Sequence, residues 1–217
     1  MKIIIPLQMC STRIKNKNTR PFCGDDSLFD IKARQILEFE EPGNVYVSSE
    51  SQDVEKLAAG YGFRFLLRDK SLTGNDVFQP DYVRGLTDPL PGDDDIMWIH
   101  VTSPLFNEFK RALREWEAVR EQHDSLVAVK KFQQHLIDET AKPVNFAYGY
   151  WHRVSQRLPK LYTILWSLFI LKRATVKRFS YQIGVNPYLF ETDSHMIDID
   201  RPEDFELAQL VYKKLRA

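Results

Sequence analysis

Three β-branched residues, Ile3, Ile4 and Ile5, run straight into Pro6, and from residue 7 to residue 22 no acid follows. A continuous apolar run of this length reads as a strand buried on both faces, and the proline ends its ladder. The stretch behind it carries Arg13, Lys15, Lys17 and Arg20, with Ser11, Thr12, Asn16 and Asn18 as hydrogen-bonding groups. A buried strand that empties into a cationic loop and then a helix is how open α/β sheets hold an anion at the carboxyl ends of their strands. Two readings of the loop stand at this point: a phosphate site, or an ordinary solvated positive loop. Glycine, which lets backbone N–H groups approach a phosphate closely, is missing. Met9 and Cys10 occupy the middle of the loop, so side chains have to do more of the binding.

The pattern downstream sets the fold class. Residues 30–39 (DIKARQILEF) read as a helix with Asp30 placed to cap it, and residues 44–49 (NVYVSS) as a second strand. Residues 51–60 (SQDVEKLAAG) form a second helix and residues 63–67 a third strand, which gives β-α-β-α-β, the signature of a parallel sheet. A helix near residues 81–86, a strand at 96–101 (IMWIHV), an amphipathic helix through Phe109, Leu113, Trp116 and Val119, and a strand at 125–130 continue the alternation. Further strands fall at residues 165–171 and 188–191. The class is α/β, with a mostly parallel central sheet flanked by helices, and the length of 217 residues suits one domain over residues 1–217. Residues 132–160 mix aromatics, His135, His152 and prolines without periodicity; they read as an excursion that covers the sheet or forms a dimer contact. The aromatic stretch at 146–151 is the candidate partner surface, with core packing as the other reading.

Thirty basic residues balance thirty acidic ones, which argues against a dedicated nucleic-acid or membrane-surface protein and makes the positive loop a local feature. The most apolar run, residues 161–171, falls short of the about 20 residues a membrane span needs. Cys10 and Cys23 have no metal-type spacing and no signal-peptide pattern is present, so a cytoplasmic setting is expected.

The chain closes on MIDIDRPEDFELAQLVYKKL. In an extended segment Asp198 and Asp200 point together while Ile197 and Ile199 face the core. Two carboxylates on one side suit Mg²⁺, with nucleotide phosphates and water completing the octahedron. The alternative is that Asp200 is only the N-cap of the last helix, with Glu203 closing a capping box. Pro202 suits a first helical turn, and Phe205, Ala208, Tyr212 and Leu215 form the stripe expected to be buried. Cationic loop and paired carboxylates together describe phosphoryl-group chemistry, in which positioning and charge neutralisation dominate. No G-x-S-x-G elbow, P-loop lysine motif or zinc cluster is present, and the five histidines are scattered.

With these pieces in place the chain resembles the acylneuraminate-type cytidylyltransferases, or CMP-sugar synthetases, of nucleotide-diphospho-sugar transferase-like fold. IIPLQMCSTRIKNKNTRPF is similar to the family's I-I-P-x-R-x-x-S-x-R-x-x-x-K-N loop, and VYVSSESQDVEKLAAGYG and FLLRDKSLTGND to the segments that follow. HVTSPLF is similar to Q-P-T-S-P-L, SQRLPKLY to Q-x-L-P-x-x-Y, and IDIDRPEDFELA to I-D-I-D-x-P-x-D-x-x-x-A. The resemblance implies a CTP site lined by Ser11, Arg13, Lys17 and Asn18, with Leu7, Gln8 and Arg20 beside them and Arg68 near the base. It implies an acceptor side that includes His100, Thr102, Ser103 and Gln156, and Mg²⁺ on Asp198 and Asp200. Lys17, Asp198 and Asp200 are the implied catalytic set. The implied reaction is attack by an oxygen of a small acidic acceptor, sialic-acid-like or related, on the α-phosphate of CTP, with release of pyrophosphate. A homodimer is expected in such a family.

Several positions depart from that pattern. Gln8 stands where the family carries arginine, Met9 and Cys10 replace a small pair, and Thr12 replaces a lysine. On the acceptor side His100 replaces a glutamine, Phe106 and Ser155 replace arginines, and Leu165 and Trp166 replace an Asn-Gly pair. The acceptor is therefore open among a nonulosonic acid, another acid and a phosphonate. A catalytically impaired binding or scaffold protein of the same fold is the alternative function, and a transferase using a ready-made nucleotide sugar is a third.

Overall fold

The computed structural model describes residues 1–11, 13–74, 76–192 and 196–216; Thr12 and His195, named or counted above, lie outside the described residues. In chain order the elements are β1 (Lys2–Pro6), β2 (Pro21–Cys23), β3 (Asp26–Ser27), α1 (Leu28–Leu37), β4 (Val45–Ser49), α2 (Asp53–Gly60), β5 (Arg64–Leu67), α3 (Gln79–Thr87) and β6 (Ile96–Ile99). There follow α4 (Phe109–Val119), β7 (Ser125–Phe132), β8 (Leu161–Leu171), α5 (Arg173–Phe179), β9 (Pro187–Glu191) and α6 (Pro202–Arg216).

Seven strands make one sheet in the order β5-β4-β1-β6-β8-β7-β9. The pairs β1–β4, β1–β6, β4–β5 and β7–β9 are parallel, and only β8 runs against its neighbours β6 and β7. The mostly parallel α/β sheet read from the sequence is the observed architecture. Ile3 and Ile5 face a core that includes Phe29 and Ile36 of α1, Trp116 of α4 and Ala208 of α6. Ile4 faces the opposite core, with Val83 and Leu86 of α3 and Val176 from α5. Helices on both faces explain why β1 is apolar throughout rather than alternating. No helix among the described residues is long and apolar enough to cross a membrane.

Three local expectations are corrected. Helix α1 is capped by Ser27, not Asp30. Ser27 Oγ accepts from the Asp30 amide at 3.2 Å, and the Asp30 carboxylate accepts from the Ser27 amide at 2.8 Å, so Asp30 is the far partner of a capping box. Helix α6 buries Phe205, Ala208 and Tyr212 as expected, but Leu215 is 63% exposed because the helix runs past the edge of the core. Strand β8 begins at Leu161 rather than residue 165: its pairing with β7 shifts register between Val127 and Val129, and beyond the shift its outer half continues along the end of β7. Two elements had no sequence expectation, the ribbon β2–β3 and the short basic helix α5. The ribbon turns at Gly24, whose φ of 60° favours glycine, and docks on α6. Gln209 Nε2 donates to the Phe22 carbonyl at 2.6 Å, and Phe22 meets Phe205 edge-on at 5.2 Å. This docking brings the loop after β1 and the approach to α6 to the same end of the sheet.

Candidate functional site

The carboxyl ends of β1 and β6 open toward one cavity of about 580 Å³. Its wall includes Gln8, Ser11, Arg13, Lys17 and Asn18 from the loop after β1, His100 and Thr102 after β6, Trp166 on β8, and Asp198 and Asp200 before α6. This is where ligands bind in open α/β sheets.

The loop holds its shape by local bonds. Ser11 Oγ accepts from the Ile14 amide at 3.4 Å, and the amides of Thr19 and Arg20 both donate to the Asn16 carbonyl. Asn16 takes a φ of 53°, a left-handed conformation that asparagine tolerates better than most residues. Asn18 is buried, and its side-chain amide donates to the Gln8 carbonyl at 2.9 Å. Lys17 crosses to the chain end: Nζ donates to the Ile199 carbonyl at 2.6 Å and lies 3.7 Å from the Asp200 carboxylate. Arg13 Nη2 reaches the same Asp200 oxygen at 3.0 Å.

Residues 196–200 lie outside the sheet and outside any helix. The Ile199 amide donates to the Thr102 carbonyl at 3.0 Å and Ile199 is fully buried, which leaves Asp198 and Asp200 on the cavity side. The capping alternative for Asp200 is overturned. Asp204, not Glu203, accepts from the amides of Asp200 and Arg201, at 3.1 and 2.8 Å, and the Asp200 side chain is turned to the two cations. Burial lowers the Lys17 pKa from its ordinary value, against the opposing pull of Asp200 and Asp198. Asp198 is raised above the usual carboxylate range by burial and by the charge of Asp200, although a Thr102 hydrogen bond pulls it down. Two hard oxygen donors on one rim suit a divalent ion. Among the described residues no third His, Cys, Asp or Glu joins them, so phosphate oxygens and water would have to complete an octahedron.

Five sequence candidates stand back from the cavity wall. Leu7 is fully buried and continues the β1–β4 ladder through its amide. Arg20 is exposed with its guanidinium 5.1 Å from the Phe205 ring centroid. The Arg68 side chain is wholly buried behind Tyr82, which lines the cavity in its place. Ser103 is buried with its carbonyl accepting from Lys32 at 3.0 Å. Gln156 is exposed in the excursion.

Tyr82 and Glu50 both escaped the sequence reading. Glu50, at the carboxyl end of β4, accepts from the amides of Met9 and Cys10 at 2.7 and 3.2 Å and pairs with Arg68 at 3.1 Å. Burial pushes its pKa up, but these amides and Arg68, with its own backbone, outweigh burial and hold it below the usual carboxylate range. Its only sequence signal was an acid directly after a buried strand. Glu50 thus does for the glycine-poor loop what a bound anion does for a glycine-rich one: it saturates the inward amides.

Fold and site together describe a mostly parallel α/β protein with a cation-bearing loop facing a carboxylate pair across a cavity. The family model described as Cytidylyltransferase matches residues 2–79. No curated protein matches the chain. Among solved structures it is similar to CMP:2-keto-3-deoxy-manno-octonic acid synthetase complexed with CTP, at 12% identity and a TM-score of 0.70 over 98% of each chain. It is also similar to 4-diphosphocytidyl-2C-methyl-D-erythritol synthase from Anaerococcus prevotii DSM 20548, at 12% identity and a TM-score of 0.64 over 98% of this chain and 96% of that one. HddC from Yersinia pseudotuberculosis is similar at 12% identity and a TM-score of 0.58 over 97% of this chain and 99% of that one. At such identities the likeness is one of fold.

Proposed function

We propose that this chain is a Mg²⁺-dependent cytidylyltransferase of the CMP-sugar synthetase kind, which transfers CMP from CTP to a small acidic acceptor and releases pyrophosphate. The observation that carries the reading is the convergence of Arg13 and Lys17 on Asp200, beside Asp198, in one cavity at the carboxyl ends of the parallel strands. The match of a cytidylyltransferase model to residues 2–79 and the likeness to a structure solved with CTP support the choice of nucleotide.

In this reading the triphosphate enters between the loop and residues 198–200. Its oxygens compete with Asp200 for Arg13 and Lys17, which frees the carboxylate. Lys17, held by the Ile199 carbonyl, keeps a positive charge where negative charge shifts toward the leaving group. An acceptor oxygen attacks the α-phosphorus, the bond to the β-phosphate oxygen breaks, and the acceptor proton leaves to solvent. Asp198 and Asp200 would hold Mg²⁺, which would supply charge neutralisation across the phosphate oxygens. The homodimer contact in this proposal lies on the excursion, where Tyr150 is 92% and Trp151 74% exposed.

A second reading, a catalytically impaired binding protein of the same fold, is favoured by Glu50, which already occupies the Met9 and Cys10 amides. One experiment separates the two. Thermal unfolding with CTP and Mg²⁺ should show stabilisation of about 2.7 kcal/mol at a hundredfold excess over the dissociation constant, with weaker effects from ATP, GTP and UTP. Asp200→Asn should keep the fold and lose pyrophosphate release. No response to any nucleotide favours the binding protein, and full turnover by Asp200→Asn refutes the role given to the carboxylate pair.

A further inference from the structure

Helix α1 turns two polar side chains inward, Lys32 and Gln35, both buried and three residues apart on one helix face. On stability alone both are poor residues for that face. Burying an amine, and an amide whose Oε1 meets no hydrogen-bond partner among the described residues, costs what an apolar side chain would not. Their donors reach one target, the turn that follows β6. Lys32 Nζ donates to the carbonyls of Ser103 and Phe106 at 3.0 and 2.9 Å, and Gln35 Nε2 to the Pro104 carbonyl at 3.1 Å. Among the described residues the backbone of that turn supplies one bond of its own, from the Phe106 amide to the Ser103 carbonyl at 3.2 Å. The shape of the turn is therefore set largely from α1.

The other side of the same turn holds the cavity rim. Thr102, directly before Ser103, accepts from the Ile199 amide at 3.0 Å and hydrogen-bonds the Asp198 carboxylate. Ile199 is the residue between the two carboxylates, and no strand or helix contains this segment. The Asp200 carboxylate is held by Arg13 and Lys17, the cations that face a triphosphate in the proposed reaction, whereas the Thr102 contacts draw on neither. A continuous path thus runs from α1 through the turn to the carboxylate pair.

We propose that Lys32 and Gln35 are positioning residues for the site: they fix the turn at residues 103–106 from behind and, through Thr102, set where Ile199 holds Asp198 and Asp200 on the cavity rim. That the placed carboxylates serve a divalent ion rests on the cytidylyltransferase reading; that they are placed from α1 does not. Groups one step behind metal-binding side chains hold them in the geometry the ion needs, and losing such a group weakens the ion's binding without touching it.

The test compares the whole parent chain with Lys32→Met, Gln35→Met and the donor-keeping Lys32→Arg. Val83→Ala, a core substitution on the opposite face of the sheet, controls for general loosening. The first readout is amide exchange by NMR, with Ile199 taken relative to the slowest core amides. That ratio should rise about tenfold in the two methionine variants and should not rise in Lys32→Arg or Val83→Ala. The second readout is binding of Mn²⁺ to the chain alone, followed by electron paramagnetic resonance. It should weaken about tenfold in the same two variants, with Asp200→Asn as the reference for a lost site. An Ile199 ratio unchanged in both methionine variants, or raised equally by Val83→Ala, overturns the proposal. Mn²⁺ binding at parental strength beside a loosened Ile199 overturns it as well, since the carboxylates would then stand where they stood. A parent chain that binds no Mn²⁺ counts against the cytidylyltransferase reading, while the Ile199 amide still decides whether α1 places the rim.

Discussion

Lys32 on α1 is fully buried, and among the described residues no acid pairs with it. Its Nζ donates to the carbonyls of Ser103 and Phe106 at 3.0 and 2.9 Å and lies 5.0 Å from the Phe109 ring centroid. This strut ties α1 to the turn that follows Thr102, whose carbonyl in turn anchors Ile199. Burial pushes the amine from 10.5 down to about 7. Between those values the unfolded chain holds a proton that the folded chain has released, so stability rises with pH. A gap of about 3.5 pH units at about 1.36 kcal/mol each comes to about 4 to 5 kcal/mol. The penalty is complete below about pH 7 and gone above about pH 10.5. Lys32→Met removes it but orphans two carbonyls, at a cost of about 1 to 3 kcal/mol each. The two effects nearly offset at neutral pH, and near pH 10 the variant should be the less stable by the hydrogen-bond cost alone. Urea unfolding at a series of pH values, followed by tryptophan fluorescence, gives the difference between parent and variant directly. Curves that stay parallel from pH 7 to about pH 10 would refute the reasoning and mean that the amine keeps its charge on the two carbonyls and the Phe109 face.

Other consequences can be checked beside it. Glu50→Ala leaves the wholly buried Arg68 guanidinium unpaired, and should destabilise the chain by about 3 to 5 kcal/mol in urea; a loss under about 1 kcal/mol would show that Tyr82 alone satisfies the arginine. Replacing Tyr150 and Trp151 together by serine should shift a dimer toward monomer in sedimentation and leave the unfolding midpoint of the monomer in place. An unchanged sedimentation profile would move the proposed contact off the excursion.

Strands β1, β4, β5 and β6 were legible because an apolar run between polar boundaries leaves a parallel strand little alternative. The cation loop and the Asp198–Asp200 pair were legible because charge and period-two alternation are local. What was not local was not legible. Periodicity carries no direction, so nothing in residues 161–171 said that β8 would run against the others. Glu50 gained its meaning from amides of a loop after a different strand, and Arg68, which the family resemblance placed near the base, spends its charge on Glu50 under Tyr82. Ser27 and Asp30 are both good caps, and only the geometry of the ribbon before α1 decides which of them serves. Asp204 displaced Glu203 for a similar reason: Pro202 opens α6 one residue later than a box closed by Asp200 and Glu203 requires.

Strand β8 has one further consequence. Its inner residues, Ser167 to Leu171, are buried between β6 and β7, whereas its outer residues pair with β7 alone and are partly exposed. The inner part can exchange its amide hydrogens only through large-scale opening, while the outer part opens by local fraying. Trp166 stands at that boundary. The cavity therefore has one wall whose stiffness is set partly by whatever holds the outer ribbon closed, and clamping the ribbon at a distance would quiet an aromatic side chain that faces the ligand.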